Sequence, residues 1–126
     1  MTNMLSIKII DGEFSVLKVA SLKGIDLTSD FTFSAKTDEE ISLVCPSKNI
    51  PADYIECDGG WRCFRIQGVL DFSLIGILAR ISKILADNNI GIFVISTYNT
   101  DYILTKADRF DTAVKLLSDK EYKIEK

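Results

Sequence analysis

The stretch Ser73–Lys106, SLIGILARISKILADNNIGIFVISTYNTDYILTK, carries two hydrophobic periods in succession. In its first half Leu74, Ile77, Leu78, Ile81, Ile84 and Leu85 recur at spacings of three and four, with Arg80, Lys83 and Asp87 off that stripe. This is the pattern of an amphipathic helix over 73–89, which Asn88 and Asn89 are suited to end. Ile90–Thr97 is then β-branched and aromatic, as a buried strand is, and Tyr98-Asn99-Thr100 supplies turn chemistry before a partner strand, Asp101–Lys106. Upstream, Arg62, Phe64 and Ile66 alternate with Trp61, Cys63 and Arg65 in a further strand. Downstream, Phe110, Val114 and Leu117 mark a second helix with Asp108 as its N-cap, and Tyr122–Glu125 closes as a short strand. The order βαββαβ is ferredoxin-like, an α+β arrangement in which two helices cover one face of an antiparallel sheet.

The first half reads as a worn copy of the second. Phe33–Val44 (FSAKTDEEISLV) lies on Val94–Thr105 (VISTYNTDYILT) without a gap, setting Glu40 opposite Asp101, Ile41 opposite Tyr102 and Leu43 opposite Leu104. Phe14–Val19 then corresponds to Trp61–Ile66. Only Ser21–Asp30 stands where the second half has a long helix, and Pro46, Asn49 and Pro51 keep any second helix short or irregular. The expectation is two ferredoxin-like (βαββαβ) units, residues 1–60 with reduced helices and residues 61–126 complete. Trp61, beside a Gly59-Gly60 linker, is read as a packing residue.

Composition narrows the function. None of the 126 residues is histidine, which excludes Ser-His-Asp and Cys-His nucleophile pairs and imidazole zinc sites. The net charge is -3, distributed as -5 over residues 1–60 and +2 over 61–126, with no dense Lys/Arg patch, so neither nucleic acid nor a membrane surface is an expected partner. The apolar run Met4–Ile10 is short and interrupted by Ser6 and Lys8, unlike a leader, and no later run is long enough to span a bilayer. Cys45, Cys57 and Cys63 are odd in number and form no C-x-x-C, as expected of reduced packing thiols in a cytoplasmic protein. No Asp/Glu cluster has the alternating spacing of a calcium loop and the glycines are scattered, so no metal or cofactor is expected.

Two constellations carry possible chemistry. The junction Gly68–Gly76 joins a strand to a helix start, whose unpaired N–H groups favour a carboxylate, held by Leu74, Ile75 and Gly76 N–H with the Ser73 hydroxyl. Gly76 inside a first turn is costly unless something approaches its backbone; the plainer alternative is that Asp71 or Ser73 is an N-cap and Gly76 gives room to a neighbouring strand. The second is Ser96–Tyr102, where Asp101 and Thr97 are placed to meet an ammonium or polar tail, the alternative being ordinary turn composition.

These residues also carry a family resemblance. D-F-S-L-x-G-I-L at Asp71–Leu78, N-x-I-G-I-F-x-I-S-T at Asn88–Thr97 and Y-x-T-D-Y-I-L at Tyr98–Leu104 resemble an ACT domain, specifically the tandem type of aspartokinase regulatory regions and the cytosolic arginine sensor of animals. Val44-Cys45-Pro46 and Gly60–Cys63 are similar to the degenerate first repeat of small bacterial proteins of this kind. The resemblance implies a non-catalytic regulatory module that binds a free amino acid, or a similar small metabolite, at interfaces between ACT units, pairing as a homodimer. It implicates Asp71, Phe72, Ser73, Gly76 and Ile77 from the loop and helix start, and Thr97, Tyr98 and Asp101 from the hairpin. No kinase domain accompanies the motifs here, so allosteric output is expected to pass to another protein. The competing expectation is an assembly module with a vestigial pocket.

Overall fold

Residues 5–67, 76–120 and 122–126 are described by the structure, a computed structural model. Two long strands, β1 (Ser6–Val19) and β4 (Glu56–Gln67), run through both of the compact units into which the chain divides. One unit is Gly12–Trp61; the other combines residues 1–11 with 62–126. Gly59 and Gly60 are therefore not a linker but lie inside β4. A Cβ on Gly59 would come within 3.3 Å of Ser15 Oγ, which is already engaged with Ser47 Oγ at 2.7 Å.

In the unit containing 62–126, β4 is followed by α1 (Ile77–Ala86), β5 (Phe93–Ser96), β6 (Asp101–Lys106), α2 (Ala107–Asp119) and β7 (Lys123–Glu125), the βαββαβ order expected. The helices turn their apolar stripes onto the sheet. Ile77, Ile81 and Leu85 of α1 and Phe110, Ala113 and Leu117 of α2 pack with Ile7, Phe64, Ile66 and Ile103 in one core. Arg62 lies on this same face, as the strand alternation requires, with its guanidinium carbon 4.4 Å from the centre of the Phe110 ring. The closing strand takes its partner from the start of the chain. β7 pairs in parallel with the first residues of β1, Ile7 opposite Ile124, and β1 is itself a neighbour of β4, so the start of the chain supplies a strand to this unit.

Helix ends differ in detail. Asp108 is not the N-cap of α2; Lys106 is, because the helix leaves β6 directly and Asp108 falls in its first turn, where a carboxylate complements the helix dipole. At the end of α1, Asn89 adopts a left-handed φ of 60°, and the Ile90 and Asn89 N–H groups donate to Leu85 and Ala86 carbonyls at 2.9 and 3.0 Å. This reversal buries Ile90 and shortens the following strand to Phe93–Ser96.

The unit Gly12–Trp61 has strand order β2-β3-β1-β4, with β2 (Phe33–Lys36) and β3 (Ile41–Pro46) forming a hairpin. Its one helical turn is the 3-10 segment Ser47–Asn49, so the helix layer has indeed shrunk. Leu22, Ile25 and Ile50, from irregular chain, cover Leu17, Val19, Leu43 and Cys45.

The two hairpins are true equivalents, but one residue out of the gapless register. Lys36 pairs with Ile41 and Ser96 with Asp101, so Ile41 corresponds to Asp101 and Leu43 to Ile103; Glu40 matches Thr100. In both, a threonine closes a four-residue turn: Thr37 N–H donates to Glu40 O at 2.9 Å, and Thr97 N–H to Thr100 O at 2.8 Å. A one-residue slip would turn every side chain to the opposite face, and the paired strands β3 and β6 instead bury the same three positions.

Candidate functional site

The hairpin tip is fastened to the end of β4. Thr100 Oγ1 donates to Ile66 O at 2.6 Å, and Arg65 reaches across to Tyr102 Oη at 3.1 Å while its Nε donates to Gln67 Oε1 at 2.8 Å. The tip thus sits beside the strand that leads into residues 68–75. Asp71, Phe72 and Ser73 lie outside the described residues. Thr100, Arg65 and Tyr102 were not singled out as a group from sequence. The available signal was the alternation that places Arg65 opposite to Phe64 and Ile66.

Where description resumes, Gly76 is the N-cap of α1, with φ 85° and ψ 11°, rather than a residue of its first turn. The left-handed backbone accounts for the glycine; among the described residues a Cβ there would meet Arg80 Nη1, at an ordinary 3.6 Å. Gly76→Ala is accordingly expected to cost about 1–2 kcal/mol through backbone strain, measurable by urea unfolding, with Gly76→Asn costing less because asparagine tolerates this region better. A loss no larger than a few tenths for alanine would remove this explanation.

Among the described residues no side chain caps α1, and no acidic residue lies in its first turn. This contrasts with α2, which carries Asp108. A helix start carries partial positive charge that a carboxylate complements. Ile77 points into the core at 7 % exposure, so its side chain is committed to packing.

On the hairpin, Thr97 Oγ1 donates to Thr100 O at 2.9 Å and accepts from Thr100 N–H at 3.3 Å, so its hydroxyl is already used by the turn. Tyr98 is fully exposed. The Asp101 carboxylate is half-buried and accepts a short hydrogen bond from Ser96 Oγ. Of the hairpin residues, Asp101 best retains acceptor capacity for an incoming cation.

The thiols are poor candidates for chemistry. Burial pushes the Cys63 thiol up to about 12 despite the nearby Arg65 cation, and burial followed by the neighbouring Cys57 raises Cys45. Cys57 is exposed, not packed as expected, because the start of β4 lies open. Among the described residues no three His, Cys, Asp or Glu side chains gather as a metal site would require, and no helix is long and apolar enough to cross a membrane.

With this geometry in hand, a model of the ACT domain matches residues 56–119. The chain belongs to the ACT domain family. The matched segment begins with β4 and ends with α2, so it contains the candidate loop and hairpin together. Among solved structures, an Agobacterium tumefaciens protein is similar over 98 % of this chain and 93 % of its own, at 29 % identity and a TM-score of 0.85. Aspartate kinase from Clostridium acetobutylicum, described as an allosteric enzyme, shares the fold over 93 % of this chain and 34 % of its own, at 15 % identity and a TM-score of 0.67. Aspartate kinase from Synechocystis does so over 96 % of this chain and 27 % of its own, at 16 % identity and a TM-score of 0.67. No curated protein sequence gives a significant match.

Proposed function

We propose that this ACT protein is a non-catalytic, cytoplasmic regulatory module that binds a free amino acid, or a similar small metabolite, at an interface completed by a second copy. The observation that carries the reading is the hairpin bearing Asp101, fastened by Thr100 to the end of the strand that leads toward the start of α1, a start that no side chain among the described residues caps. The helix start suits an α-carboxylate and Asp101 an α-ammonium. Asp71, Phe72 and Ser73 belong to the intervening loop and supply backbone and hydroxyl donors in this reading. Regulation follows if the ligand binds one assembly more tightly than another, because only differential affinity shifts a population.

A thermal-shift screen of the free amino acids, paired with size determination, tests this. One or a few amino acids at millimolar concentration are expected to raise the melting temperature and to alter or stabilise a dimer. A flat response to all of them would sink the reading. It would favour instead an assembly module, for which the full exposure of Tyr98 at the hairpin tip is the supporting feature.

A further inference from the structure

Turn composition alone does not account for the residues at the base of the second hairpin. Both turns close in the same way, the Thr37 and Thr97 N–H groups donating to the Glu40 and Thr100 carbonyls. The cross-strand pair beside the turn is different in the two. Between β2 and β3 it is Lys36 and Ile41, whereas between β5 and β6 it is Ser96 and Asp101. A turn that closes over Lys36 and Ile41 does not require a hydroxyl and a carboxylate in those places.

The pair also faces the helices. Ser96 and Asp101 stand two residues along their strands from Val94 and Ile103, which are themselves partners and pack with the core residues of α1 and α2. Residues two apart share a face of a sheet, so the carboxylate is on the side that α1 covers. Arg65 lies on the other face, where it bonds Tyr102 at 3.1 Å, and so does not meet Asp101. Ser96 Oγ donates to Asp101 Oδ1, which leaves Oδ2 as the oxygen available to an incoming donor.

We propose that Ser96 is a positioning residue for the amino-acid site. Its hydroxyl holds the Asp101 carboxylate in one rotamer, so that this side chain need not be ordered when an ammonium arrives at Oδ2. The role rests on the reading of Asp101 given above and adds a residue that touches the acid and not the amino acid.

The test uses the full chain and the free L-amino acids. In the free protein, NMR Hα–Hβ couplings of Asp101 are expected to report one rotamer, replaced by averaged values in Ser96→Ala. The same variant should bind the amino acid that most stabilises the parent about tenfold more weakly. Because Ser96 is exposed, its melting temperature without ligand should stay within about 2 °C of the parent. Ser96→Thr keeps the hydroxyl and should restore both the couplings and the affinity. Averaged couplings in the parent, unchanged affinity in Ser96→Ala, or failure of Ser96→Thr to restore binding would each overturn the proposal while leaving the amino-acid reading in place. A parent that responds to no amino acid would remove that reading and this role together.

Discussion

Phe110→Ala is expected to lower the unfolding free energy by about 3–5 kcal/mol, the range for truncating a buried aromatic. Phe110 is 1 % exposed and stands where two elements meet: α2, which carries it, and β4, through Phe64 at a ring distance of 6.2 Å and the Arg62 guanidinium at 4.4 Å. Truncation removes the ring from water-free packing and leaves a void that Ala113 and Leu117, fixed on the same helix, cannot fill. It also strips the aromatic face from Arg62, whose Nε is buried without a hydrogen-bond partner. Since a domain is stable by only about 5–15 kcal/mol, this loss is a large fraction of the total. Phe110→Leu, which keeps most of the volume, should cost about 1.5 kcal/mol or less and remain measurable. Urea unfolding of the pair reads both values, and an alanine cost below that of leucine would contradict the assignment of this core.

The second large effect concerns ligand response. Ser73→Ala combined with Asp101→Ala is expected to abolish the thermal stabilisation produced by whichever amino acid the parent protein binds. The pair removes a hydroxyl donor proposed for the carboxylate and an acid proposed for the ammonium. Charge-assisted bonds of this kind are worth about 1.5–3 kcal/mol each, so the loss should exceed about a hundredfold in affinity. Asp101 is only half-buried, so the free variant should keep a melting temperature near that of the parent, apart from the lost Ser96 contact at the hairpin tip. Asp101→Asn separates charge from shape. A double variant that still responds fully would show that the loop and hairpin are not the site, whatever the parent binds.

The elements with strong periodicity were legible. Ile77, Ile81 and Leu85, or Phe64 and Ile66, declare their faces because a helix or strand must turn one side to the core. The strand Asp101–Lys106 was legible for the same reason, down to its ends. Register was not: two polar turns align equally well at neighbouring offsets, and only the Thr37 and Thr97 hydrogen bonds fix the correspondence. Gly76 was placed inside the first turn and not at the N-cap, because sequence shows a glycine near a helix start without its φ. Of the candidate site, Asp101 and the helix start were visible as residue types. The tie between the hairpin tip and the end of β4 through Thr100 and Ile66, which are 34 positions apart, was not.

The sequence by itself determined the class of fold, the absence of histidine chemistry and the shrinking of helices in the first unit, because each follows from composition or local period. Tertiary structure alone decided that the first strand serves both units, that β7 closes against Ile7 and its neighbours and not against β4, and that the lost helices leave a hollow of about 240 Å³ beside Leu43 and Cys45. Strand partnership and void volume depend on residues far apart in the chain. No local pattern encodes them, because a strand offers hydrogen bonds on both edges and the fold chooses which neighbour takes each.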